Sequence, residues 1–159
     1  MSERGANLKV EFSMPQNGWI ELTVATPAQS LREVVSYTPN DFVLELTTAL
    51  SLAMQGCQGE AIAHCEPTTF SLTFSPSNRE DVLLLQILKY ADWQRNGHSA
   101  SVVLAIEASK LNVVLPFWRA LRQLEGQVSA TQYREAMRMD FPSTALQRLT
   151  QVVSALRER

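Results

Sequence analysis

The chain has 159 residues, 45% of them apolar and 19% charged, with a formal charge of −2 at neutral pH. That length suits one domain with a real core, spanning 1–159. No apolar run reaches the roughly 18 residues of a membrane helix, and the near-balanced charge argues against general nucleic-acid affinity.

The opening Met-Ser-Glu-Arg-Gly-Ala-Asn has no apolar stretch, so it is not a secretory signal, and residues 1–7 read as a loose lead-in. The expected compartment is the cytoplasm, where the two cysteines, Cys57 and Cys65, stay reduced; two are too few for a secreted disulfide framework. Charge is uneven along the chain: residues 1–80 carry −5 and residues 81–159 carry +3. This could give the molecule an acidic and a basic face.

Lys9 to Met14 alternates, with Val10, Phe12 and Met14 on one face, and predicts a half-buried strand. Pro15-Gln-Asn-Gly18 is a turn. Trp19 to Val24 alternates again, burying Ile20, Leu22 and Val24 and leaving Trp19 on the second face. After Thr26-Pro27-Ala28, Ser30 to Tyr37 is a third strand, and the three make an antiparallel meander. A helix follows, with Thr38 as N-cap, Pro39 at its first position, Asp41 in its first turn and Gly56 as a left-handed stop. Phe42, Leu46, Ala49, Leu50 and Ala53 form its apolar stripe.

Ala61 to Ser75 is strand-like but interrupted at Glu66-Pro67. One long strand kinked at a proline bulge is preferred over two strands with a tight turn. Asp81 to about Trp93 is the next strand, and Val82 to Leu88, apolar on both faces, makes it central. Arg95-Asn-Gly-His98 turns the chain into a last strand, Ala100 to Ala108. From Ser109 the period becomes helical: Leu111, Leu115 and Trp118 share a face, Pro116 kinks the helix or splits off its first turn, and Gly126 closes it. Thr131 caps a short helix over 130–139, and Ser143 caps a final one burying Leu146, Leu149, Val152, Val153 and Leu156. The whole is an α+β domain of βββαβββαα order: one mostly antiparallel sheet of about six strands with helices packed on it.

The chemistry-bearing residues are sparse. His64 and Glu66 would share a strand face with Cys65 on the other, so Cys65 cannot meet its neighbour as a nucleophile–base pair. A polar pair on the solvated face with a small thiol behind is the preferred reading. Cys57, His64, Cys65 and His98 are the whole stock of soft metal ligands, and their spacing matches no zinc pattern, so no metal is expected. Glu66, Asp92 and Glu107 fall on three successive strands, and two of them could converge. There is no phosphate-cradling glycine loop, no Gly-x-Ser-x-Gly elbow and no aromatic–basic stripe. No cofactor is expected.

Trp19-Ile-x-Leu-x-Val, Ser36-Tyr, the capped helix, Glu66-Pro67, Asp92 near a strand end and Phe117-Trp-Arg-Ala-Leu121, spread over residues 18–145, together resemble a broad group of small, mostly uncharacterised bacterial α+β proteins. Members look like immunity or accessory proteins encoded beside polymorphic or contact-delivered toxins. The resemblance implies a non-enzymatic protein-binding role and no catalytic residue. The expected partner is therefore a protein, a toxin or effector, and not nucleic acid or membrane. Candidate contact residues are Trp19, Glu21, Glu33, Glu66, Asp92 and Trp93, with Glu21, Glu33 and Glu66 on exposed sheet positions facing a basic partner. Two alternatives stand beside this one: a small-ligand or enzymatic pocket around His64, Glu66 and Asp92, and self-association as a homodimer through an edge strand or helix seam.

Overall fold

A computed structural model describes residues 7–92 and 100–158. Its order is β1 (Lys9–Phe12), β2 (Trp19–Ala25), β3 (Ser30–Ser36), α1 (Phe42–Met54), β4 (Gly59–His64), β5 (Thr69–Pro76), β6 (Val82–Tyr90), β7 (Ser101–Ser109), α2 (Lys110–Gln127), α3 (Ala130–Met137) and α4 (Ser143–Arg157). The class is α+β, as the pattern implies. The strands, however, form two antiparallel sheets: three strands in the order β1-β2-β3 and four in the order β4-β5-β6-β7.

The single six-stranded sheet divides between β3 and β4, which are not paired, and the strand count rises by one at the proline. Glu66-Pro67 is not a bulge in one strand but the tip of a hairpin, with His64 paired to Thr69 and Gly59 to Phe74. Cys65 N–H donates to Thr68 carbonyl at 2.8 Å and closes the turn. The expected central position of the strand beginning near Asp81 holds, since β6 lies between β5 and β7.

The apolar stripe of α1 buries Phe42, Val43, Leu46, Ala49, Leu50 and Ala53 against β4 and β5. Helix and strand touch at Gly59, where a Cβ would sit 2.5 Å from the Ala49 carbonyl oxygen and 2.6 Å from its Cα. No side chain fits there. The helix stops where Gly56 takes a φ of +87°, as its sequence suggests. Its start is later than expected. Asp41, not Thr38, is the N-cap, accepting from Leu44 N–H at 3.1 Å, and Thr38-Pro39 is left as connecting chain with a cis peptide bond.

Inward-facing Ile20, Leu22, Val24 and Val35 of the smaller sheet meet Phe70, Leu72, Phe74, Leu83, Leu85 and Ile87 of the larger one and the helices in one core. Phe117 of α2 packs edge-on to Phe74, ring centroids 5.3 Å apart. Helix α2 runs unbroken through Pro116 and past Gly126. Ser129, two residues before Thr131, caps α3 in a reciprocal capping box with Gln132, and α4 begins at Ser143 with no side-chain cap. Strand β1 ends at Phe12, so Met14 lies beyond it and is exposed rather than inward. Among the described residues no helix is long and apolar enough to cross a membrane.

Candidate functional site

The β4–β5 hairpin carries the site on its turn end. Strand alternation puts His64 and Thr69, a cross-strand pair, on the sheet face away from the core, and β5–β6 register adds Tyr90 to that row. Asp92, two residues on, stays at the same end. The chain between β3 and α1 comes across from the other sheet. It is pinned there because Asn40 Nδ2 donates to Ile62 carbonyl at 2.9 Å while Glu45 Oε1 accepts from Ile62 N–H at 3.0 Å. These two bonds cover the otherwise bare edge of β4.

The result is an open cavity of about 400 Å³ lined by Thr38, Pro39, His64, Glu66, Pro67, Thr69 and Asp92. The imidazole and both carboxylates that were alternatives in the sequence thus line one hollow, with two proline rings as apolar wall. His64 Nδ1 lies 3.3 Å from the Thr69 hydroxyl, and Thr69 is wholly buried. His64 and Asp92 each make a further interaction within the chain. Glu66 sits in the turn, exposed, with a φ of +39°. That left-handed backbone costs a non-glycine residue about 1 kcal/mol.

Cys65 points away from the cavity, toward the core. Its thiol, 3.9 Å from the Ala63 carbonyl oxygen, is pushed up to about 12 by burial and then by the negative charge of Glu33. It is therefore a protonated thiol at neutral pH. Both cysteines are free. Among the described residues no three His, Cys, Asp or Glu side chains are close enough to hold a metal ion; His98 lies outside the described residues.

The six contact candidates separate. Trp19 and Glu21 lie on the outer face of the smaller sheet, where with Ser13, Met14, Gln16, Asn17 and Val34 they border a second, shallow hollow of about 490 Å³. Glu21 is paired there with Arg32 at 3.2 Å. Glu66 and Asp92 belong to the first cavity. Glu33 belongs to neither. It is opposite Leu22 in register, on the side of β3 that carries buried Leu31 and Val35, so it lies on the inward side and is half-buried rather than exposed. Glu66 is exposed, but in a turn and not on a sheet. Glu107 is distant from both, accepting from Ser77 Oγ at 2.8 Å near the far end of β7. Trp93 lies outside the described residues.

Thr38, Pro39 and Thr69 went unseen as site residues. Thr38-Pro39 reads as a helix start because Asp41, an equally good cap, follows three residues later. Thr69 had no signal beyond its place across the turn from His64. Comparison with protein-family models, with curated proteins and with solved structures gives no match.

Proposed function

We propose that the protein is a recognition module that receives a ligand group in the His64–Glu66–Asp92 cavity and performs no bond-making on it. The observation that carries this reading is the convergence of those three side chains on one hollow with a proline wall. An apolar recess with a few polar groups is the usual form of a binding site, and its volume lies within the usual range. Recognition is favoured over catalysis because the Thr69 hydroxyl beside His64 is itself wholly buried, and the thiol of Cys65 is protonated and does not line the cavity. The His64 ring is held by the buried Thr69 hydroxyl. A protein-observed ¹⁵N NMR screen of small fragments tests the proposal. The expected result is a set of binders that shift the His64, Thr69 and Asp92 amides and are lost in His64→Ala/Glu66→Ala. A screen in which no binder moves those amides overturns it.

A second reading, docking of a protein partner, is favoured by the outer face of the smaller sheet. Met14 and Val34 are 49% and 42% exposed beside half-buried Trp19, a large-apolar group with Glu21–Arg32 at its border. A toxin or effector bound there by a cytoplasmic, immunity-like protein is the form that the family resemblance implies. Co-purification with the product of the neighbouring gene, lost on Trp19→Ala, is the expected outcome. No complex, and no rescue of cells from that product, removes it.

A further inference from the structure

We propose that the group received by the cavity is an organic cation, an alkyl ammonium or guanidinium, with its charge on Glu66 and its aliphatic stem against the Pro39 and Pro67 rings. This rests on the reading above that the cavity is a recognition site, and it names the chemistry recognised there.

Three observations point the same way. Among the described lining residues the ionisable groups are two carboxylates and one imidazole, with no lysine or arginine. Carboxylates on the lining disfavour an anion and stabilise a cation at short range. A bare metal ion is a poor alternative, because the donors share a hollow without being close enough to coordinate one ion. A cation with a carbon stem bridges that spacing and uses the two pyrrolidine rings, which offer only C–H surface. Finally, Glu66 occupies a left-handed turn position that glycine or asparagine would take with less strain. The turn thereby holds the exposed Glu66 side chain on the lining of the cavity. Glu66 is the principal anion because His64 and Asp92 already make other interactions in the chain.

Two sources supply this chemistry: a free small amine, or the lysine or arginine side chain of a partner protein. Titrations of the ¹⁵N-labelled protein with n-butylammonium, n-butylguanidinium, butyrate and n-butanol test the class. Blocked pentapeptides Ala-Ala-Xaa-Ala-Ala with Xaa as Lys, Arg or Gln distinguish the sources. The expected result is that a cation shifts the His64 and Thr69 amides while butyrate and butanol do not. Glu66→Gln should weaken binding about fivefold at low salt, the effect of one exposed charge contact, with no change in melting temperature. Tighter binding of the Lys or Arg peptide than of the free cation assigns the site to a partner's side chain. Equal or weaker binding assigns it to a free amine. Butyrate or butanol binding in place of the cations overturns the inference and leaves the recognition site standing. Failure of all four small probes and all peptides overturns it too, as does cation binding that Glu66→Gln leaves unchanged.

Discussion

The two ends of the β4–β5 hairpin are built for opposite purposes. At Gly59–Phe74 the strands are pressed under α1, dry, with Gly59 in contact with the helix backbone. At His64–Thr69, about 16 Å along the strand, the same pair of strands opens to solvent, and its side chains line a cavity. One end has no room for a side chain; the other carries polar groups, half-buried His64 and buried Thr69, that line the hollow. The division follows from strand parity: Gly59 and Phe74 lie on the face that meets α1 and the core, while His64 and Thr69 lie on the other face, at the end where the chain leading into α1 is tied to Ile62.

The largest effect that would test this contrast comes from the dry end. Gly59→Val places a Cβ within 2.5–2.8 Å of Ala49 carbonyl oxygen, Cα and Cβ. Two of those three atoms are backbone and cannot swing aside, so α1 must lift from β4. The expected loss is about 4 kcal/mol or more, read by urea denaturation. A loss near 1 kcal/mol would mean that the helix is not seated as tightly as the contrast requires.

Next in size is the response to alkali, which probes Cys65, in the turn just past the open end. The folded thiol is raised to about 12 from an ordinary 9, mainly by burial. Between those values the unfolded chain has lost a proton that the folded chain keeps, so stability is complete below pH 9 and falls as pH rises toward 12. The slope from this one group is at most about 1.4 kcal/mol per pH unit. Cys65→Ala should flatten the curve by that amount. An unchanged slope would place the thiol in water. In thiol labelling at pH 8, exposed Cys57 should react well before Cys65.

How much of this was legible before the coordinates depends on whether a feature is local. The core stripe of α1, the alternation of β1–β3, the central position of β6 and the Gly56 stop are local patterns of burial and backbone freedom, and each is present. Neither the division into two sheets nor the strand count was legible, because the first turns on β3 and β4 not pairing and the second on the pairing of His64 with Thr69, both tertiary facts. The site shows the same limit. His64, Glu66 and Asp92 were separate candidates whose convergence depended on sheet register. Glu33 looked exposed from its charge, yet it lies half-buried on the inward side because strand parity, set by Leu31 and Val35, overrides side-chain polarity. Thr38 and Pro39 had the right residue types for a helix start and were displaced from it by Asp41.

A smaller effect concerns how the start of α1 is held. Tyr133 of α3 is 1% exposed, packs edge-on to Phe141 at 5.2 Å, and is the one buried side chain among the described residues whose polar atom has no partner. Its hydroxyl is raised above its usual range by burial and then by the charge of Asp41, the cap of α1. A buried hydroxyl without a partner costs about 1 kcal/mol or more. Tyr133→Phe should therefore stabilise the fold by about 1 kcal/mol in the same denaturation assay. Destabilisation would show that the hydroxyl is bonded, through water, to the polar groups at the start of the helix.

The smallest effect sharpens the contrast most, because stability and recognition should move in opposite directions at one residue. Glu66 holds a φ of +39° in an exposed turn. Glycine adopts that conformation without the Cβ clash, although it adds freedom to the unfolded chain. The net expectation for Glu66→Gly is a gain of about 0.5 kcal/mol. Glu66→Gln keeps the strain and removes only the charge, so its stability should match that of the parent protein. If the carboxylate serves the cavity, both variants weaken cation binding while only the glycine variant gains stability. That pattern separates a residue kept for what it binds from one kept for how it turns the chain. A glycine variant that is less stable than the parent would mean that the Glu66 side chain supports the hairpin, and the open end would then share in the structural work assigned here to Gly59.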